Sequence, residues 1–215
     1  YLEFLRDGHY TAQWEDDQRL KTAKQVIQRL NSKGDVDLMI AMGTWAGKDL
    51  ANDGHRANTM VVSASDAVGA GIIKSVEDSG FDNLHAYVDP YRYQRQVRVF
   101  HDMIGFKKLG VVYEDTVDGR SYAAIDMVEK VANERGFSIE RCHAVSDIAD
   151  VDKREKAYLE CFEKLSKRSD AIYVTVHGGV SARSIPMIVD IATSQRIPTF
   201  SQSGSEEVKS GILAC

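Results

Sequence analysis

The sequence predicts an α/β protein whose parallel sheets are flanked by helices. Two observations lead to this fold class. Short apolar runs alternate with amphipathic stretches along most of the chain, and glycine- and aspartate-containing connections separate them. The apolar runs are continuous rather than alternating, which is typical of parallel strands covered on both faces. Strands and helices that alternate in this way form right-handed βαβ units.

These patterns place the individual elements. Continuous apolar runs predict strands at residues 38–42, 59–62, 84–88, 109–113, 171–176 and 198–200. Apolar residues spaced at i, i+3, i+4 and i+7 predict amphipathic helices between the strands. The helical stripes are Leu20, Ala23, Ile27 and Leu30; Tyr93, Val97, Phe100 and Ile104; Tyr158, Cys161, Phe162 and Leu165; and Ile185, Ile188, Val189 and Ala192. Capping residues predict helix starts after Ser65 and Asp66 and after Asp150 and Asp152.

We place a boundary between two lobes near residues 88–91. A predicted strand ends at Val88, Asp89-Pro90 follows, and a new series of strands and helices opens at residues 108–113. The predicted lobes are therefore residues 1–88 and residues 89–215. The chain starts with Tyr1, and residues 211–215 have the pattern of a strand just starting. We therefore expect truncation at both ends, either by processing or because this is a piece of a longer chain.

Composition narrows the function classes. Lys and Arg total 27 against 32 Asp and Glu, which gives a formal net charge of −5, and no basic cluster is present. Nucleic-acid binding is therefore not expected, since phosphate contacts need a basic patch. The longest apolar runs have the length of one strand, far below the roughly 20 residues of a membrane-spanning helix.

Common catalytic and cofactor motifs are absent from the sequence. It has no phosphate-binding loop ending in Gly-Lys-Ser/Thr, no His-Glu-x-x-His and no Cys-x-x-Cys, and its six His are scattered without ligand spacing. Gly69-Ala70-Gly71 resembles the start of a dinucleotide fingerprint, but Lys74 occupies the position of the third glycine. We therefore predict a protein that is not an enzyme, with no cofactor and no metal site.

Candidate ligand-binding residues of the first lobe follow its predicted strands, at the edge where open α/β sheets bind ligands. Thr44 and Trp45 follow one strand, and Ser65 and Asp66 follow the next. Trp45 is either a core side chain or an aromatic wall for a ligand. Thr44 adds a hydroxyl at a helix start, where anions bind readily. Asp66 caps a helix, contacts a ligand, or does both.

In the second lobe the candidates are Asp115, His177, Gly178 and Ser203, which also follow predicted strands. Asp115 is either a solvated turn residue or a ligand contact. Ser203 is either part of an ordinary polar loop or a ligand contact. His177 is either a structural histidine or a ligand-binding imidazole, which donates and accepts hydrogen bonds near pH 7. Gly178 lets the backbone approach a ligand closely.

The cysteines leave the cellular compartment open. Cys142 lies in a predicted edge strand and Cys161 on the apolar face of the next helix. They could pair in an oxidising compartment, but buried free thiols are the simpler prediction.

Residues 63–71, Ser-Ala-Ser-Asp-Ala-Val-Gly-Ala-Gly, resemble a segment of the ABC-transporter substrate-binding family whose characterised members carry aromatic amino acids such as tryptophan. The resemblance continues through residues 110–113, 170–174, 196–200 and 208–214. It implies a type I periplasmic binding fold: two Rossmann-like lobes, hinged near residues 88–91, that clamp a ligand. Tyr1 would then lie near the second strand of the first lobe.

The resemblance also implies a function. We expect an extracytoplasmic or periplasmic solute-binding protein that captures a small molecule and delivers it to an ABC transporter permease. The expected protein is monomeric, and a lipid anchor on a missing N-terminus is one option. The alternatives are a ligand-sensing domain of a sensor kinase, the effector domain of a repressor, and an α/β enzyme. The ligand does not follow from the resemblance. Thr44-Trp45 replaces the Thr-Pro of the family, and Val176-His177-Gly178 replaces Thr-Asp-Asn and lacks its acid, so an anionic or aromatic molecule is as plausible as an amino acid.

Overall fold

The computed structural model describes residues 3–12 and 15–215 of the chain. Within it, the chain divides into two compact units, Tyr1–Val88 and Asp89–Cys215. Each unit contains one parallel sheet.

The sheet of the first unit has three parallel strands in the order β1-β2-β3. The elements of this unit are α1 (Asp16–Ser32), β1 (Leu38–Met42), α2 (Gly43–Leu50), β2 (Asn58–Val62) and β3 (Leu84–Ala86). The predicted strands are thus present at the expected positions. In α1, Ile27 and Leu30 of the predicted stripe pack against the core cluster together with the buried Val26, whereas Leu20 is 68% exposed.

One face of this sheet is covered and the other is more open. Ala41 and Val61 on the covered face are buried in one cluster with Val26 of α1 and Leu50 of α2. On the opposite face, Met60 is 38% exposed. Both described helices therefore contribute to the same side of the sheet, which differs from the expectation of strands covered on both faces.

The segment after β2 forms a single turn, so the helix expected after Ser65 and Asp66 is not present. The Asp66 Oδ1 atom accepts a hydrogen bond from the Gly69 N–H at 2.9 Å, as a helix cap does. Gly71 then has a φ of +72°, a left-handed conformation that ends the turn. The capping interaction was predicted correctly, but the glycines prevent the helix from continuing.

The second unit has a four-stranded parallel sheet in the order β5-β4-β6-β7. Its elements are α3 (Arg92–Ile104), β4 (Lys108–Tyr113), α4 (Val117–Tyr122), α5 (Ile125–Arg135), β5 (Ser138–His143), α6 (Val151–Ser166), β6 (Ala171–Val174), α7 (Ile185–Gln195), β7 (Thr199–Ser201) and α8 (Ser205–Lys209). Ala214 adds one parallel bridge to Phe200 of β7. Asp150 caps α6 as predicted, because its Oδ1 atom accepts from the Lys153 N–H at 2.9 Å.

Both faces of this second sheet are buried. Val111 and Tyr173 pack in one cluster with Phe100 of α3 and Val128 of α5. Residues of the opposite face pack in a second cluster with α6 and α7; they include Val112, Ile172 and Val174 from the strands, and Phe162 and Ile188 from the helices. The strands predicted at residues 109–113, 171–176 and 198–200 and the stripes of α3, α6 and α7 are therefore present, whereas α4, α5 and α8 are helices that no predicted stripe covers.

Candidate functional site

The strand order of the second sheet creates a topological switch point between β4 and β6. From β4 the chain continues to β5 on one side, whereas β6 and β7 lie on the other side. Open α/β sheets bind ligands in the crevice at the carboxyl ends of the strands that flank such a point. The loops after β4 and β6, residues 114–116 and 175–180, are therefore the candidate site of this unit.

A buried amide holds the loop after β6 in place. The Gln202 side chain is fully buried. Its Oε1 atom accepts from the Val176 N–H, and its Nε2 atom donates to the Tyr122 carbonyl, both at 2.8 Å. The sequence indicates a polar loop after β7, and Gln202 from that loop holds the loop after β6 through these two hydrogen bonds. Ser203 itself is exposed, and its N–H donates to the Ser201 Oγ atom at 3.1 Å.

Both ring nitrogens of His177 are bonded to the main chain. The Nδ1 atom accepts from the Gly179 N–H at 2.8 Å, so Nε2 carries the proton and donates to the Ala144 carbonyl at 3.1 Å. Burial lowers the pKa of His177 to about 4, and the nearby charge of Arg154 acts in the same direction. This geometry favours the structural alternative, in which His177 positions the loop rather than contacting a ligand through its nitrogens.

Gly178 and Gly179 pack tightly against the segment that connects β5 to α6. The Gly178 N–H donates to the Ser146 Oγ atom at 2.8 Å. A Cβ atom on Gly178 would lie 2.5 Å from the Ser146 carbonyl oxygen, and one on Gly179 would lie 2.5 Å from the Tyr158 Cβ atom. Side chains cannot be added at either position without displacing the loop.

A disulfide closes the segment that supports these glycines. Cys142 on β5 and Cys161 on α6 are bonded, with their Cα atoms 5.5 Å apart. The simpler prediction of two free thiols is therefore wrong. The reason is geometric, because α6 packs on the edge strand β5 and brings the two Cα atoms within disulfide range. The residues between the cysteines include Ala144 and Ser146, which bond to His177 and Gly178.

Asp115 lies in the exposed loop after β4. Its carboxylate is 3.9 Å from both the Arg120 Nη1 and the His143 Nδ1 atoms, and its side chain is 54% exposed. Solvent screening makes such contacts weak. Asp115 is thus at the carboxyl end of β4, as predicted, and both of its alternatives remain open.

In the first unit, the candidates follow two adjacent parallel strands, β1 and β2, whose ends are in register at Met42 and Val62. Thr44 is buried, while Trp45, Ser65 and Asp66 are half-buried. Thr44 and Trp45 lie in the first turn of α2, which begins directly at the end of β1.

Trp45 packs against an anchored arginine. The Arg19 guanidinium carbon is 4.9 Å from the centre of the indole ring, a cation–π distance. The same guanidinium bonds to the carboxylate of Asp49, with Nη2 to Oδ1 at 2.8 Å and Nε to Oδ2 at 3.0 Å. Arg19 and Asp49 therefore hold the ring of Trp45 at the carboxyl end of the sheet.

Over residues 3–12 and 15–215, no group of three or more His, Cys, Asp and Glu side chains is arranged to hold a metal ion. In the same part of the chain, every helix is too short or too polar to cross a bilayer.

A family model described as ABC transporter substrate binding protein matches residues 7–215 of the chain. The chain belongs to this family. The resemblance drawn from residues 63–71 and the later segments is confirmed. Among curated proteins, none matches the sequence.

Solved structures share the fold of this family member at low sequence identity. A conserved domain protein from Vibrio cholerae is 18% identical with a TM-score of 0.69, and covers 92% of this chain and 61% of its own. An ABC domain from Streptococcus pneumonia in complex with L-Trp is 19% identical with a TM-score of 0.65, and covers 88% and 62%. A solute binding protein of an ABC transporter from Rhodopseudomonas palustris, in complex with 3,4-dihydroxy benzoic acid, is 15% identical with a TM-score of 0.59, and covers 87% and 49%.

These likenesses confirm the predicted fold class, an α/β fold of the type I periplasmic binding protein kind with parallel sheets flanked by helices. The chain spans 61% and 62% of the length of the first two structures. Ser146, Gln202 and Arg154 also lie beside the candidate loop, and the sequence pattern does not single out Ser146 or Arg154. Their positions beside the candidate loop depend on packing that no local pattern encodes.

Proposed function

We propose that this chain is the ligand-binding part of an extracytoplasmic solute-binding protein that captures a small molecule for an ABC transporter permease. The observation that carries the proposal is the family match over residues 7–215. Binding rather than catalysis is the proposed activity. The ligand shifts the protein toward its bound conformation by no more than the difference between the ligand's affinities for the bound and the free conformations.

The proposed contacts come from the carboxyl-end loops of both units. Thr44, Trp45, Ser65 and Asp66 serve in the first unit, and residues around 88–91 act as the hinge. In the second unit we propose Asp115, Gly178 and Ser203 as contacts. His177 has the role of positioning Gly178 and Gly179, because its ring nitrogens are already bonded to the main chain.

A small aromatic or anionic molecule is the proposed ligand class. The solved Streptococcus protein holds L-Trp and the Rhodopseudomonas protein holds 3,4-dihydroxy benzoic acid. Both ligands combine an aromatic ring with a carboxylate. In this chain, the half-buried Trp45 at the end of β1 offers an aromatic surface suited to such a ring.

The disulfide supports the proposed compartment. A Cys142–Cys161 bond persists in oxidising surroundings such as the periplasm or the cell exterior, and is rare in a reducing cytosol. Lipid anchoring remains a prediction, which mass spectrometry of the protein isolated from its own cells tests directly.

A ligand screen tests the proposed function. The full-length protein is purified without denaturation, examined by native mass spectrometry for a co-purified molecule, and screened by thermal shift against amino acids, aromatic acids and other organic acids. We expect a saturable rise of the unfolding midpoint with at least one small molecule, because a ligand that binds only the folded state stabilises it. Absence of any bound or stabilising small molecule would count against solute binding.

Trp45 gives the sharpest test of the first-unit contacts. We expect Trp45→Ala to weaken binding of the ligand found in the screen by about tenfold or more, because truncating a buried aromatic contact typically costs that much. The midpoint of the free protein changes little, since the ring is only half-buried. Isothermal titration calorimetry measures the affinity, and Trp45→Phe, which keeps an aromatic ring, is the matched control. Unchanged affinity together with a large loss of stability would instead assign Trp45 to the core.

A further inference from the structure

Arg154 lies beside the candidate loop of the second unit. It belongs to the first turns of α6, four residues after the cap Asp150. Its Nη1 atom donates to the Ile148 carbonyl at 3.0 Å, and its Cδ atom lies 3.2 Å from where a Cβ on Gly178 would be. The Arg154 side chain is therefore packed between the β5–α6 connection and the loop after β6, at the carboxyl end of the sheet.

The guanidinium of Arg154 lacks a counter-ion. Its Nε–H is buried and has no hydrogen-bond partner. The other half-buried arginines of the described residues all form ion pairs with carboxylates: Arg19 with Asp49, Arg29 with Asp7 and Asp35, Arg98 with Glu134, and Arg120 with Asp126. No described carboxylate lies within ion-pair distance of Arg154, so it is the exception in this part of the chain.

A guanidinium that has no counter-ion and one buried N–H without an acceptor raises the free energy of the unliganded protein. A buried N–H of a charged group that makes no hydrogen bond loses its hydration without compensation. An anion beside the exposed part of this half-buried guanidinium supplies the missing counter-charge. A carboxylate fits best, because its two oxygens match the planar donors of a guanidinium.

We propose that Arg154 is the anion-binding residue of the second unit and that the ligand carries a carboxylate that pairs with it. The inference rests on the proposed solute-binding function and deepens it by naming the chemistry of the ligand. The charged group that Arg154 offers is a cation, which favours an acidic ligand.

The test compares acids with their neutral amides in a double-mutant cycle on the full-length protein. The probes are 3,4-dihydroxybenzoate and L-tryptophan, each paired with its carboxamide, and calorimetry measures the affinities. The variants are Arg154→Gln and Arg168→Gln. Arg168 follows the opposite end of α6 and is 71% exposed, so its variant changes the same charge away from the site.

We expect Arg154→Gln to weaken binding of an acid by about tenfold or more while changing binding of the corresponding amide by less than about twofold. Arg168→Gln should change neither. Equal weakening of acid and amide, or no weakening of either, would overturn the carboxylate pairing and leave solute binding intact. Failure of every acid and every amide to bind the wild-type protein would contradict the proposed function as well as this inference.

A second measurement avoids dependence on the folding of the variant. The Nε–Hε resonance of Arg154 in the wild-type protein is followed by NMR, with Arg154→Lys used to assign it. Addition of the acid should shift this resonance in a saturable way, while the amide should leave it unchanged. A resonance that stays in place while the acid binds would show that Arg154 holds only the protein or a water molecule.

Discussion

Removing the Cys142–Cys161 disulfide is expected to lower the free energy of unfolding by about 3 kcal/mol. The bond joins residues that are 19 apart in sequence, and breaking it restores conformational freedom to the unfolded chain. The double variant Cys142→Ser, Cys161→Ser is compared with the wild-type protein by urea unfolding followed by circular dichroism. Cys215→Ser, which changes an exposed free thiol, is the matched control and should leave stability unchanged.

The disulfide has a second expected effect at the candidate site. Without it, the segment that supplies the Ala144 carbonyl and the Ser146 hydroxyl is less constrained, so the Gly178 and Gly179 amides that depend on this region exchange with solvent faster. Amides of α5, which packs on the other face of the sheet, serve as the internal reference. Equal stability and equal exchange in the double variant and the wild-type protein would contradict a supporting role for the bond.

Acidification is expected to remove about 3 kcal/mol of stability through His177 as the pH falls from 6.5 to about 4. The folded protein holds this histidine neutral because it is buried, whereas in the unfolded chain it titrates at its ordinary pKa of 6.5. Between these values the unfolded state binds more protons, so stability falls as the pH is lowered. Above pH 6.5 the contribution is fully present.

Urea unfolding at a series of pH values measures this dependence. His177→Gln keeps a donor for the Ala144 carbonyl but cannot titrate, so its stability should depend less on pH across the same window. The difference between the two proteins isolates His177 from the carboxylates that also titrate. If stability depends on pH in the same way in the wild type and the variant, His177 takes up a proton as readily in the folded protein as in the unfolded chain. That result would contradict its two main-chain hydrogen bonds.

The strands and most helices could be predicted from the sequence because their signals are local. Continuous apolar runs such as residues 109–113 can bury both faces only in a parallel sheet, and the structure forms β4 there. The helix predicted after Asp66 does not form, because Gly69 and Gly71 follow the capping residue. Gly71 in a left-handed conformation allows one turn and no more.

The site could be predicted less well, because its decisive contacts connect distant segments. Arg154 stands in the charged run Asp152-Lys153-Arg154-Glu155-Lys156, which resembles an ordinary solvated helix face. Only the packing of Gly178 against Arg154 shows that this arginine is half-buried, and that it has no carboxylate as an ion-pair partner. The cysteine spacing likewise carries no information on whether an edge strand and a helix approach closely enough to bond.

The proposed ligand is a small carboxylate that binds at the carboxyl ends of the strands. Hydrogen–deuterium exchange of the full-length protein tests this most directly, with and without the acid that gives the largest thermal shift. We expect slower exchange in peptides covering residues 43–46, 63–66 and 175–180, and no change at residues 167–170, which precede β6 at its other end. Saturating ligand that slows exchange only on the outer surface of α6 and α7, or at the amino ends of the strands, would contradict the account.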